Sequence, residues 1–167
     1  QTSSQGTMVP AGLDIGSGVR TVSTPRVMSQ GSVNMTEREM DLAIRGEGFF
    51  MVELPDGRTA YTRDGSFERN TDGTIVTSTG FTLSPGITIP GNARGVSISP
   101  DGTVEAFIGT DSEPTQLGQL QLARFVNKSG LESMGDNLFL ETPASGAAQV
   151  EVPNTNGMGD LLQNYLE

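Results

Sequence analysis

Four Asp-Gly pairs are the residues whose type and spacing come nearest to a reactive or binding site. They are Asp56-Gly57, Asp64-Gly65, Asp72-Gly73 and Asp101-Gly102. Aspartates repeated beside glycines can cradle calcium. An EF-hand loop needs oxygen ligands at alternating positions and a closing Glu at the twelfth. Here the nearest approach is Asn70-Thr71-Asp72-Gly73. Glu68 would have to be its first ligand, and Thr79 stands where the closing Glu belongs. The glycine-rich repeat of calcium-binding β-rolls is also absent. Asp-Gly between short apolar runs is instead a hairpin signal, because both central residues of a type I′ turn need positive φ. All four pairs are therefore expected to be corners joining strands of about four to six residues.

Other chemistry finds little support. The chain has no His and no Cys, which removes Ser-His-Asp and Cys-His catalysis, disulfides and the usual zinc sites. Lys128 beside Ser129 is read as a solvated loop pair, since sequence neighbours seldom form a Ser-Lys dyad. The 20 carboxylates leave a two-carboxylate glycosidase formally open, yet the absence of Trp and the two Tyr leave few platforms for sugar rings. In "RGEGFF" the Gly46-x-Gly48 core lacks the third glycine of a dinucleotide fingerprint, because residue 51 is Met. No catalytic, cofactor-binding or metal-ligating residue is assigned, and no cofactor is expected.

The elements that must carry these residues are short. The 167 residues include 22 Gly and 9 Pro, a turn-rich composition. The net charge of −10 disfavours nucleic acid, and no stretch approaches the ~20 apolar residues of a membrane helix. Residues 1–18 are small, polar and aperiodic, an extended lead-in, and "VRTVST" (19–24) is a weak strand. Thr36 and Glu39 have capping-box spacing, but any helix there would span only a turn or so. From residue 41 short apolar runs alternate with turns: "TAYTR", "SFER", "TIVTST", "FTLS", "VSISP", "TVEAFIG", "QLQLARFV" and "NLFLE". This rhythm predicts a mainly β fold of short antiparallel strands, sandwich-like or barrel-like. One short helix is expected within 127–136, and residues 156–167 fit either a helix or an outgoing strand.

One long block is also recognisable. Asp41-Leu42-Ala43-Ile44, then Gly46-x-Gly48-Phe49-Phe50, then "YTRDGSF" (61–67), Gly73 and Gly80 resemble the shared core of the bacterial flagellar rod and hook axial proteins. The flanks "VPAGLDIGSGVRTVSTPRVMSQGSV", "GQLQLARFVNKSGLESMGDNLFLET" and "GMGDLLQNYLE" are similar to the distal-rod branch. The likeness covers essentially the whole chain, without the terminal helices of that family, so the chain reads as a core fragment. It implies residues 1–40 as an extended rod-specific stretch and linker, 41–157 as a β-rich outer domain, and 158–167 as a return segment toward a C-terminal helix. It further implies a non-enzymatic subunit, exported by the flagellar type III route into the rod that spans the periplasm. Implied partners are identical subunits, proximal rod and hook proteins, and the P and L ring bushing. Nucleic acid and membrane insertion are not expected, and the isolated fragment is expected to be monomeric. The alternatives are another rod or hook member and an adhesive or carbohydrate-binding β domain.

Overall fold

The computed structural model describes residues 30–167, so the expectations for 1–18 and for "VRTVST" lie outside the described residues. Among the described residues sixteen short strands follow one another: β1 Asn34–Met35, β2 Leu42–Arg45, β3 Phe50–Glu53, β4 Thr59–Thr62, β5 Phe67–Arg69, β6 Ile75–Thr77, β7 Thr82–Ser84, β8 Ala93–Ile98, β9 Thr103–Ile108, β10 Thr115–Gln119, β11 Leu122–Arg124, β12 Glu132–Gly135, β13 Leu138–Leu140, β14 Gln149–Glu151, β15 Asp160–Gln163 and β16 Tyr165–Leu166. Seven of them form one antiparallel sheet, in the order β12-β13-β4-β3-β7-β6-β5. A second sheet has the order β10-β9-β8, and three two-stranded pairs join β11 to β14, β15 to β2 and β16 to β1. The mainly β expectation is met.

The run "FFMV" shows how the core is divided. Successive side chains of a strand point to opposite faces. Phe50 and Val52 enter a large cluster with Leu42, Ile44, Val104 and Leu161. Phe49 and Met51 enter a smaller one with Tyr61, Phe125 and Leu131. Both faces of β3 are covered, and this accounts for its unbroken apolar sequence. Edge-to-face aromatic contacts fasten each cluster: Phe50 meets Phe67 with ring centroids 5.0 Å apart, and Tyr61 meets Phe125 at 4.8 Å. The glycines at 46 and 48 bend the chain between β2 and β3, which belong to different sheets.

Side chains close the remaining edge of β8. Gln163 Nε2 donates to the Val96 carbonyl at 2.8 Å, and the Ile98 N–H donates to Gln163 Oε1 at 2.9 Å. The Val96 N–H donates to Glu39 Oε2 at 2.9 Å. A carboxamide and a carboxylate thus do for β8 what a neighbouring strand would do.

Four corrections concern local structure. Asp56-Gly57, Asp72-Gly73 and Asp101-Gly102 are hairpin corners, but only their glycines have positive φ. In each, the left-handed glycine is the fourth residue of the turn, as in a type I turn with a G1 bulge. In the first corner, Gly57 N–H donates to the Leu54 carbonyl at 2.9 Å and Leu54 N–H to the Arg58 carbonyl at 2.8 Å. The same pair of bonds closes 70–74, 77–81 and 99–103. Second, Asp64-Gly65 is no hairpin. It lies on a crossing between β4 and β5, which are not neighbours in the sheet. Third, "QLQLARFV" breaks into β10 and β11. Fourth, the helix expected within 127–136 is one 3-10 turn, Lys128–Gly130, followed by β12. The apolar pair that suggested a helix splits, with Leu131 buried and Met134 exposed. A turn with positive φ at both central residues occurs here instead, at Asp136-Asn137 between β12 and β13. The Thr36 and Glu39 pair caps no helix: the Thr36 hydroxyl accepts the Arg38 N–H, and Glu39 reaches β8.

Candidate functional site

Three of the aspartates singled out above, Asp56, Asp64 and Asp101, face their own backbone. Asp56 Oδ1 accepts the Arg58 N–H at 3.0 Å, and Asp101 Oδ1 accepts the Thr103 N–H at 3.1 Å. Asn70, the middle of the EF-hand-like stretch, accepts N–H groups of Asp72 and Thr74 at 2.9 and 3.0 Å. Asp64 accepts the Ser66 N–H and hydroxyl. These oxygens fold turns in the manner of Asx motifs. No group of three or more acidic, His or Cys side chains among the described residues could hold a metal ion. Lys128 and Ser129 turn to different partners, Glu47 at 3.2 Å and the Asn127 side chain at 2.9 Å.

Among the described residues there is a cleft of about 680 Å³. Arg63, Glu167, Glu47, Lys128, Asp64 and Phe139 are among its lining residues. Its floor is built by the glycine bend. Gly46 and Gly48 have φ of 105° and 134°, conformations that L side chains rarely adopt. A Cβ on Gly48 would also stand 3.0 Å from Met158 Sδ. Freed of side chains, the bend turns three backbone carbonyls toward one guanidinium. Arg63 Nη1 donates to Gly46 O and to Gly48 O at 2.8 Å each, and Nη2 donates to Ile44 O at 3.2 Å. Nε and Nη2 also grip Glu167 at 3.0 Å each, a bidentate fork.

Glu167 extends the network. Its Oε2 accepts the Gly31 N–H at 2.7 Å and Gln30 Nε2 at 2.8 Å. Gln30 Oε1 then accepts the Gly46 N–H at 2.9 Å, closing a ring of side chains and backbone. Burial alone would raise the Glu167 carboxyl. Hydrogen bonds from Arg63 and the Gly31 N–H, with the charges of Arg63 and Lys128, outweigh burial and hold it below its ordinary value. The side chains of this pair are 24% and 15% exposed, against 57% and 53% for Arg58 and Asp56. The Arg63 pair is therefore the less screened of the two.

Nothing in this arrangement activates a nucleophile or poises an acid against a base. It joins segments. Arg63 sits in the "YTRDGSF" block, yet no role could be read for it, because its partners lie up to 104 residues away. Its position between a tyrosine and an Asp-Gly pair gives no signal of them.

Comparisons with known proteins agree with a structural reading. The family model described as "Flagellar hook protein FlgE/F/G D1 domain" matches residues 43–106. The flagellar basal-body rod protein FlgG of Caulobacter vibrioides is 48% identical over 167 residues, which is 100% of this chain and 64% of that protein. FlgG of Bacillus subtilis is 36% identical over 160 residues, 93% of this chain and 59% of the relative. The flagellar hook protein FlgE of Helicobacter mustelae is 42% identical over 72 residues, 42% of this chain and 16% of the relative. The chain thus spans less than two thirds of the length of these rod proteins.

Proposed function

We propose that the chain is a member of the flagellar rod and hook family of axial proteins and a structural subunit of the distal rod. One observation carries this reading. Similarity to a rod protein runs through all 167 residues, whereas similarity to a hook protein extends over a stretch 72 residues long. In the proposed role, copies of the whole protein polymerise helically into a rigid hollow shaft in the basal body. The shaft carries motor torque to the hook and turns inside the P and L ring bushing, with proximal rod and hook proteins at its ends. Export follows the flagellar type III route, and no catalysis or cofactor is involved.

The proposed division assigns residues 1–40 to an extended rod-specific stretch and 41–157 to the outer β body. Residues 158–167 lead out of the body by way of β15, which pairs residue by residue with β2. A stacked subunit needs rigid faces more than a reactive cleft. The bonded turns and the clamped glycine bend are compatible with that demand.

The test is complementation. In a strain lacking its distal rod gene, the missing protein is supplied with this chain in place of its matching segment. Isolated basal bodies with complete rods, and swimming cells, are the expected result. Basal bodies that stop short of the distal rod, or rescue only of a hook deletion, would overturn the assignment.

A further inference from the structure

We propose that Arg63 is a positioning residue, the joint that fixes the paired flanks of the chain to the β body. The flanks meet only briefly as strands: β1 and β16 match Met35 with Tyr165 and Asn34 with Leu166. Two residue pairs fix an angle poorly. The ring beside them does more. Arg63, on the body, holds Glu167 of one flank; Glu167 holds Gln30 and Gly31 of the other; Gln30 returns to Gly46 of the body. Three segments distant in sequence are locked through one guanidinium.

The chemistry of the ring requires arginine. Its Nε, Nη1 and Nη2 all donate, to two carboxylate oxygens and three carbonyls. Lysine offers three donors from one point and cannot span that fan. The glycine bend is the matching half, since the Ile44, Gly46 and Gly48 carbonyls converge only with the positive φ of the two glycines. Resting on the rod reading, the joint is the point where twist applied to the flanks passes into the outer body.

Hydrogen exchange on the 167-residue chain tests the joint directly. The Gly31 and Gly46 amides report on Glu167 and Gln30. Arg63→Lys is expected to speed exchange at both amides about tenfold, the scale of one lost charge-assisted bond. Val52 and Val104, deep in the body, are expected to keep their parental rates. Unchanged Gly31 and Gly46, or an equal increase at every amide, would overturn the proposal. Should Arg63→Lys fail to fold, Glu167→Gln carries the same test from the other side, with a smaller increase at Gly31. If neither variant folds, the fork is a core element and the joint is refuted. The measurement needs no rod, so failed complementation would leave its result intact. A failed joint would likewise leave the rod assignment standing.

Discussion

Asp56-Gly57 and Asp64-Gly65 are the same dipeptide put to opposite uses. Gly57 lies on an exposed corner with φ of 89°, and a Cβ there would meet nothing within 4 Å. Gly65 does not have positive φ, and a Cβ there would fall 1.7 Å from the Leu42 carbonyl oxygen. The first glycine answers a local need of the backbone. The second answers a crossing: Leu42 N–H donates to the Gly65 carbonyl at 3.0 Å, so β2 passes against the chain where any side chain would stand. Local sequence can announce a turn, but it is silent about which strand will lie on top of a residue.

Substitution should break this symmetry, and Gly65→Ala is expected to have the largest effect. Two backbones would have to separate, at a cost of about 3 kcal/mol or more, and chemical denaturation would show a lower midpoint or no folded baseline. Gly57→Ala meets only the penalty of its left-handed backbone and should cost about 1–2 kcal/mol in the same assay. Equal losses at the two sites would refute the distinction between corner and crossing.

The aspartates sharpen it further. Asp56 and Asp101 at their corners accept N–H groups, whereas Asp41 is fully buried and neither of its oxygens receives a hydrogen bond. Its one charged partner is Arg38, 3.6 Å away. Asp41→Asn keeps the shape and removes a poorly compensated charge, so the melting temperature should rise, by about 1 kcal/mol in stability terms. A fall in melting temperature would show that Asp41 is held better than its contacts indicate.

The smallest effect concerns acid. The Asp101 carboxyl lies below its ordinary value, first because the Ser99 hydroxyl donates to it and next because the Thr103 N–H does. A carboxyl depressed by folding stabilises the fold when ionised, and that contribution is lost as pH falls through its folded value. The melting difference between the parent and Asp101→Ala should therefore be widest at neutral pH and narrow in acid. A gap that widens in acid would contradict the assigned hydrogen bonds.

Much of the fold was legible in short-range patterns. Corners with Pro55 or Pro100 before Asp-Gly have residues whose own torsions favour a turn. The corner at Asp136-Asn137 was missed because neither residue is glycine, and only the pairing of β12 with β13 forces positive φ on both. The joint was illegible for another reason. Arg63, Glu167, Gln30 and Gly46 carry no shared periodicity, and their meeting depends on how β2, β4 and the flanks are laid together.

The amino-acid sequence by itself determined that this chain is a turn-rich, antiparallel β protein, since turn torsions and strand alternation are properties of neighbouring residues. Which glycine lies beneath a crossing strand, which face of "FFMV" meets which cluster, and where one arginine gathers three carbonyls were decided only in the tertiary structure. Those depend on contacts between residues far apart along the chain, and the geometry of such contacts exists only once the sheets are assembled.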